Sequence, residues 1–232
     1  MTKRHVWAWI VAGVLTLFAS VLAADTVEAA PNDAERQVQK AQIALESFLD
    51  DPNFSDMHVF VQNARAVLIV PEMLKGGLFF VGGDYGVGVL LVRNLATGLW
   101  SEPAFVTVFN GNFGLQLGGQ VGDTVITLMN EGAVTRLLGH KVNVGGEAHM
   151  AIARFGGGVG ASTTTNFGED MYTFSRNQGL YGGFSLQAGA VTPNDHYNEL
   201  YYGKPIGLNE IIRNAPLVNP FSYEVQTALN RF

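Results

Sequence analysis

The sequence predicts an α+β fold in which one domain, residues 33–232, is built on a strongly twisted antiparallel β-sheet or barrel-like core. Short apolar runs rich in β-branched residues recur along the chain, and such runs are typical of strands. Turn-forming residues separate them at close spacing, which leaves little room for the helical crossovers that parallel strands need. Apolar residues at three- and four-residue steps near the N-terminus predict an amphipathic helix, and further short helices are expected to flank the sheet.

The first 29 residues have the composition of a secretory signal peptide. A basic start at residues 3–5 precedes residues 6–24, which carry no Asp, Glu, Lys or Arg. Small residues at Ala23 and Ala29 complete two cleavage patterns, so we predict a signal peptide over residues 1–29. The alternative is an uncleaved membrane anchor, because the uncharged run is close to the roughly 20 residues that span a bilayer.

Residues 31–51 are predicted to contain the amphipathic helix. Asp33 is a suitable N-cap, and Glu35 in the first turn suits the helix dipole. The residues that recur at helical spacing form one apolar stripe: Val38, Ala41, Leu45, Phe48 and Leu49. Two interpretations remain open at this point. The helix packs on the core of its own domain, as most amphipathic helices do, or its stripe inserts into a membrane.

The central stretch, residues 64–93, contains two apolar runs that each predict a buried strand. These runs are residues 67–70 and 87–92, and Pro71 is expected to end the first one because it lacks an N–H group. Six glycines lie between Gly76 and Gly88, where we expect tight turns and bulges.

Two specific expectations concern this glycine-rich segment. We predict that Gly83 or Gly86 has a positive φ, which residues with a side chain rarely adopt. Asp84 is expected to hold a turn rather than to line a cavity, because Asp commonly stabilises turns.

Further elements follow in order on either side of the sheet. Short helices are predicted over residues 54–66, 131–139, 194–202, 206–213 and 222–231. Strands are predicted over residues 104–109, 115–121, 124–129, 142–144, 148–153, 171–175 and 181–191. Turn formers at residues 110–112 and 122–123 are expected to separate the first three of these strands.

Composition and motifs exclude several classes of function. The formal net charge of −6 argues against a nucleic-acid partner, because phosphate binding needs a basic face. The absence of cysteine removes disulfides and thiolate metal sites. No dinucleotide fingerprint, P-loop, nucleophile elbow or His-x-x-x-His spacing is present. We therefore expect a protein without catalytic activity, cofactor or metal.

Spaced glycines and aromatic residues between about residues 36 and 203 resemble the signature of the SYLF domain family. The motifs that carry this resemblance are Ala64-Arg65-Ala66-Val67, Ile69-Val70-Pro71-Glu72, Lys75-Gly76-Gly77, Gly82-Gly83-Asp84-Tyr85-Gly86, Gly88-Val89-Leu90, Trp100-Ser101, Pro103-Ala104-Phe105, Gly114-Leu115-Gln116, Gly118, Tyr172-Thr173-Phe174-Ser175-Arg176, Gly179-Leu180-Tyr181, Gly183-Phe184-Ser185-Leu186, Asn198 and Tyr201-Tyr202-Gly203. The resemblance implies binding of lipid, and of actin in fungal members of the family.

The resemblance also indicates where lipid would bind, because in some SYLF proteins an N-terminal amphipathic segment contributes to lipid binding. The candidate lipid-binding residues are therefore Arg36, Val38, Lys40, Leu45, Phe48, Leu49 and Lys75. Acidic residues outnumber Arg36 and Lys40 along this helix, which argues against attraction to anionic lipid. Arg65, Lys75 and Arg176 lie in family-like motifs, and each could meet a lipid phosphate or pair with a neighbouring acid.

Together these features predict an exported, non-catalytic protein that binds phospholipid or a membrane surface. Leader and resemblance place it in a bacterial periplasm, or on a membrane of the envelope. Actin would not be accessible to such a protein. Two alternatives remain open: a structural envelope protein that binds a protein partner, and an enzyme whose site no linear motif reveals.

Overall fold

In the computed structural model, the described residues are 30–138, 150–153, 171–183, 186–213 and 219–231, and they form one sheet with helices around it. Residues Asn32–Phe232 group into one compact unit. The predicted leader, residues 1–29, and the predicted strand at residues 142–144 lie outside the described residues.

The described helices and strands have the types that the sequence predicted for their parts of the chain. The helices are α1 (Asp33–Leu49), α2 (Met57–Asn63), α3 (Glu131–Leu138), α4 (Asp195–Tyr202), α5 (Leu208–Arg213) and α6 (Pro220–Leu229), with a 3₁₀ turn at Pro52–Phe54. The strands are β1 (Ala66–Val92), β2 (Ala104–Leu128), β3 (Met150–Ala153), β4 (Met171–Gly183) and β5 (Leu186–Pro193). The predicted α+β class is confirmed.

The central strand of the five-stranded sheet is β2, which is paired along both of its edges. One edge pairs antiparallel with β1, from Ala66↔Leu128 to Leu90↔Ala104. The other edge pairs antiparallel first with β5 and then with β4, so these two strands follow each other along β2. The antiparallel arrangement is confirmed for these pairs, whereas the short β3 is parallel to β4.

The strands are much longer than predicted. The two runs at residues 67–70 and 87–92 are the two ends of the single 27-residue strand β1, and the three predicted strands of residues 104–129 are one strand, β2. The ladder continues through residues that were predicted to break the chain. Pro71 lies at a register shift between Val70 and Met73, and a second shift lies between Phe79 and Val81. Gly76, Gly83 and Gly111 are paired in regular register.

This long strand curves back on itself. At about 3.3 Å per residue, an extended strand of this length would separate its ends by about 90 Å. Instead, the backbone N–H of Arg93 donates to the carbonyl of Arg65 at 2.9 Å, so the segments that flank the two ends of β1 lie side by side. Among the described strands the sheet is nevertheless open, with β1 and β3 as its outer strands, so of the two predicted alternatives the antiparallel sheet is confirmed and not a closed barrel.

The glycine prediction was wrong. Positive φ values among the described residues occur at Gly98, Gly118, Gly203 and Glu72, not at Gly83 or Gly86. Gly86 is needed for space: a Cβ there would lie 2.6 Å from Cγ1 of Val70, in the other half of β1. Asp84 lies within β1 and is buried, so it does not hold a turn.

Two hydrophobic clusters cover the two faces of the sheet, because successive residues of a strand point to opposite faces. Val67 and Ile69 belong to the cluster that includes buried residues of α1, α2 and α6. Leu68 and Val70 belong to the cluster that includes buried residues of α3 and α5. Both faces at the ends of β1 are therefore covered by helices.

Helix α1 forms as predicted, although its N-cap is Asn32 and not Asp33. The Asn32 side chain accepts hydrogen bonds from the N–H groups of Ala34 and Glu35, both at 3.0 Å. The Glu35 carboxylate in turn accepts the Asn32 N–H at 2.7 Å, which completes a capping box. Within the described ranges, no helix combines the length and apolar character needed to cross a membrane.

Candidate functional site

The apolar stripe of α1 lies in the core. Val38, Leu45 and Phe48 are at most 1% exposed, and Leu49 is 9% exposed. In this structure the stripe therefore covers the core, and its side chains lack the exposure that insertion into lipid requires. The hypothesis that these four residues contact lipid is corrected to the packing alternative, because sequence periodicity identifies an apolar face but not what covers it.

The basic candidates on α1 and β1 each have a partner within the protein. Arg36 pairs with Asp33 one turn away, and Lys40 reaches across to Glu72 of β1. Lys75 donates to the Ser175 hydroxyl at 2.9 Å. Exposed ion pairs of this kind contribute about 0–1 kcal/mol, so they hold these side chains only weakly.

Arg65 and Arg176 have structural partners as well. Nε of Arg65 lies 2.6 Å from the Glu131 carboxylate. Arg176 donates to the Ser47 carbonyl at 2.9 Å and to Asp51 at 2.7 Å. The hydrogen bond from the Asn53 N–H, supported by Arg176, lowers the pKa of Asp51. Arg176 thus fastens the end of α1 to β4.

An exposed apolar patch lies on the hairpin of β1 and β2. Leu74 is directly opposite Val121, and Tyr85 is directly opposite Phe109, so each pair shares a face of the sheet. All four side chains are between 43% and 55% exposed. Leu74, Tyr85 and Val121 line one shallow depression of about 410 Å³, together with Lys75 and three glycines.

Helix α1 adds a further apolar side chain beside this surface. Ile43 points away from the core, is 65% exposed, and lines a second depression with Val121. We call the five residues Ile43, Leu74, Tyr85, Phe109 and Val121 the sheet patch. Sequence reasoning missed it, apart from its neighbour Lys75, because cross-strand pairing and not linear spacing brings these residues together.

The second depression, of about 360 Å³, has a balanced set of charges. Lys40 and Arg176 provide two cations, and Glu72 and Asp123 provide two carboxylates. Glu72 has a φ of 52°, and its backbone N–H donates to the Asp123 carboxylate at 3.0 Å. We call this the mixed-charge depression. It adjoins the sheet patch, because Ile43 and Val121 line it too.

A separate polar network fixes α6 to the connection between β1 and β2. The Ser222 hydroxyl donates to Glu102 and lies 3.0 Å from the Tyr201 hydroxyl. Gln226 donates to the Ser101 carbonyl at 3.0 Å. Burial raises the pKa of the Glu102 carboxyl, against the lowering effect of its hydrogen bonds.

Some residues of the family-like motifs have a structural role in this region. Asn198 is fully buried; its side chain accepts the Phe105 N–H at 2.8 Å and donates to the Phe105 carbonyl at 3.3 Å. The Tyr202 hydroxyl donates to the Pro103 carbonyl at 2.6 Å. These motif residues join α4 to the start of β2, so they position elements rather than contact a ligand.

Metal-binding residues are not clustered in the part of the chain that the structure describes. No three His, Asp or Glu side chains there are arranged to hold a metal ion. The His58 ring lies 3.3 Å from the Leu49 carbonyl and joins α2 to α1. His140 and His149 lie outside the described residues.

Comparison with known proteins relates the whole domain to a family. The family model described as "Ysc84: Las17-binding protein actin regulator" matches residues 109–231. The chain is 26% identical over 189 residues to the SH3 domain-containing YSC84-like protein 1 of Bos taurus, covering 78% of this chain and 54% of that protein. It is 28% identical over 212 residues to LAS seventeen-binding protein 3 of Saccharomyces cerevisiae, covering 82% of this chain and 43% of that protein. The chain thus spans about half the length of these relatives, and it belongs to the Ysc84 (SYLF) family.

Proposed function

We propose that this protein is an exported, non-catalytic member of the family that binds a membrane surface through the sheet patch. The observation that carries the proposal is the group of large apolar side chains, each between 43% and 65% exposed, that strand pairing and the two depressions bring together. Contiguous exposed apolar surface is a mark of interaction sites for membranes or proteins.

Apolar contact is the better mechanism for this chain than attraction to anionic lipid. The formal net charge is −6, and the cations Lys40 and Arg176 beside the patch are matched by neighbouring carboxylates, so no surplus of positive charge is available there. Burial of apolar surface stabilises binding by about 25 cal/mol per Å², and it needs no net charge. The family resemblance implies lipid binding, which favours a membrane over other apolar partners.

The test is co-sedimentation of the protein with phosphatidylcholine vesicles. Leu74→Ser combined with Val121→Ser removes two half-exposed apolar side chains from the patch. We expect vesicle binding to weaken at least about tenfold, since each lost side chain removes on the order of 1 kcal/mol of burial. The melting temperature should change little, because neither side chain is buried in the fold.

A matched control uses two other exposed leucines. Leu95 and Leu99 lie on the turn between β1 and β2 and are 75% and 65% exposed. Leu95→Ser with Leu99→Ser removes a similar apolar area away from the patch, and it should leave vesicle binding unchanged. Equal loss in both double variants would show non-specific hydrophobic adsorption and would refute the patch as the site.

Export has its own test. The predicted leader leads us to expect a mature protein that begins at Ala24 or Ala30. Mass spectrometry of the protein purified from its native source measures the N-terminus directly. An intact Met1 in the membrane fraction would establish the uncleaved anchor instead.

A protein partner is the second candidate, and the family description favours it because it names Las17 binding and actin regulation. The patch would then be a protein interface. Crosslinking in envelope preparations should capture one partner with the wild type and lose it in the Leu74→Ser, Val121→Ser variant. Such a result, together with no binding to vesicles, would replace the membrane by this partner.

A further inference from the structure

The mixed-charge depression has a charge pattern that the sheet patch alone does not explain. Two cations, Lys40 and Arg176, and two carboxylates, Glu72 and Asp123, line it, so its formal charge is balanced. The rest of the chain is not balanced, since the formal net charge is −6. A ligand that presents one positive and one negative group would find a partner for each.

We infer that the mixed-charge depression binds the zwitterionic headgroup of a phospholipid, of the phosphocholine or phosphoethanolamine class, at the membrane that the sheet patch contacts. This inference rests on the proposed membrane binding and adds the class of lipid. The headgroup phosphate contacts Lys40, next to Arg176, and the ammonium group contacts Glu72 and Asp123. An anionic headgroup would have no partner for the two carboxylates and would be repelled by them.

The backbone at Glu72 supports a binding role for this depression. Glu72 has a φ of 52°, a conformation that is uncommon for residues with a side chain, and the Asp123 carboxylate holds its N–H at 3.0 Å. Strained backbone of this kind persists where the surrounding structure fixes it and is frequent at binding sites. Asp123 thereby holds the backbone that carries the Glu72 carboxylate.

The charged side chains can also exchange their partners. The side chains of Lys40 and Glu72 are 46% and 61% exposed. An exposed ion pair contributes little to stability, so a headgroup can replace each partner at small cost. Arg176 differs, because it stays bound to Ser47 and to the Asp51 carboxylate, which offsets its charge, so Lys40 is the cation that can turn to a phosphate.

The mixed-charge depression and the sheet patch adjoin each other. The headgroup and the acyl chains of one lipid would therefore have neighbouring sites. Ile43 and Val121 line the depression and belong to the sheet patch as well. A headgroup in the depression would therefore place the glycerol and the upper acyl chains against the apolar side chains. Headgroup and chains would bind to the same surface.

The test compares vesicles of phosphatidylcholine, of phosphatidylcholine with phosphatidylethanolamine, and of phosphatidylglycerol at one ionic strength. We expect the wild type to bind both zwitterionic compositions at least about fivefold more tightly than phosphatidylglycerol, as one unfavourable charged contact would produce. Glu72→Lys gives the depression three cations and one carboxylate. This variant should shift the binding ratio at least about fivefold towards phosphatidylglycerol.

Glu224→Lys is the matched control, because Glu224 is exposed on α6 and the substitution changes the net charge by the same amount. It should leave the binding ratio unchanged. Lys is no more strained than Glu at the positive φ of residue 72. Circular dichroism checks that both the Glu72→Lys and the Glu224→Lys variants are folded.

The outcomes separate this inference from the proposed function. Vesicle binding that depends on Leu74 and Val121 but shows no preference for zwitterionic lipid, or no shift with Glu72→Lys, would overturn the headgroup site and leave membrane binding in place. An equal shift in both Lys variants would assign the preference to overall charge and would also overturn it. No binding to any vesicle would overturn both proposals.

Discussion

The stripe of α1 and the sheet patch are both apolar surfaces, and they differ in what covers them. Leu45 and Phe48 of the stripe are completely buried, in a cluster with residues of β1, α4 and α6. Leu74 and Tyr85 of the patch are at least half exposed, and the described helices leave them uncovered. The amphipathic pattern that suggested membrane insertion therefore belongs to the core.

The difference arises from the position of the C-terminal helix α6. Helix α6 packs against α1 and adds Val225, Ala228 and Leu229 to the same cluster. The polar network of Glu102, Ser222 and Gln226 fixes α6 in this position. Because α6 covers the stripe, the stripe is part of the core, whereas the sheet patch has the exposure that binding requires.

The largest expected effect comes from placing charge in the stripe. Leu45→Asp with Phe48→Asp puts two carboxylates at positions that are 0% exposed, and each also leaves an unfilled volume. Truncating such side chains alone costs about 2–5 kcal/mol each, and burying two unpaired carboxylates adds to this, so the total is comparable to the roughly 5–15 kcal/mol stability of a typical domain. We expect the variant to be unfolded, with no near-UV circular dichroism.

The counterpart in the patch is Leu74→Asp with Tyr85→Asp, which should keep the native spectrum and the native melting temperature within a few degrees. A folded stripe variant that has lost vesicle binding would reverse the comparison. It would show that α1 detaches and that its stripe is the lipid site.

The second expected effect contrasts two glycines of β1. A Cβ at Gly86 would lie 2.6 Å from Cγ1 of Val70 and 3.5 Å from Cα of Met73, whereas a Cβ at Gly76 would meet nothing within 4 Å. Gly86→Ala should therefore destabilise the protein by about 1–3 kcal/mol, as overpacking of a core does. Gly76→Ala should be neutral, or stabilising by up to about 1 kcal/mol, because it restricts the unfolded chain.

Urea unfolding measures the free energy of unfolding of both variants. If the native state is unchanged, this free energy falls with urea concentration at the same slope in both. Equal effects of the two substitutions would mean that the halves of β1 do not pack as closely as the structure shows. Gly76 lines the depression beside the patch, so its tolerance also tests whether that surface is open.

The sequence predicted the α+β class and the kinds of elements well, because those depend on local patterns. The α1 stripe has helical periodicity, the two runs of β1 are short, apolar and rich in β-branched residues, and both appear in the structure as a helix and a strand. The lengths of β1 and β2 could not be predicted in the same way. Whether Pro71 and the Gly76–Gly88 segment end a strand or bend it depends on the neighbouring strand that continues the ladder.

The candidate site was predicted less well than the fold. Lys75 was identified and lies beside the patch, but Leu74 and Val121 are 47 residues apart and become neighbours only through strand register. The register follows from the pairing of the whole hairpin, not from either segment alone. Glu72 carried no local signal for a positive φ either, since glycine or asparagine is the usual residue there.

The smallest expected effect concerns the hydrogen-bond network that holds α6, the helix that covers the stripe. Burial raises the pKa of Glu102 above its usual value of about 4.5. The folded state then binds the proton more tightly than the unfolded state, so this carboxyl contributes stability at acidic pH that is lost as pH rises from about 4.5 through the raised pKa. Glu102→Gln resembles the protonated form and keeps an oxygen that accepts from Ser222.

The melting temperature of Glu102→Gln relative to wild type should therefore increase from pH 4 to pH 7. Asp51→Asn should show the opposite trend at lower pH, because the pKa of Asp51 is lowered and its contribution to stability is lost as pH falls below about 3.8. Both differences can be measured by scanning calorimetry in one buffer series. Ser222 and Gln226 hold α6 against α1. If the difference in melting temperature between Glu102→Gln and wild type does not change with pH, the packing of α6 does not depend on the protonation of Glu102.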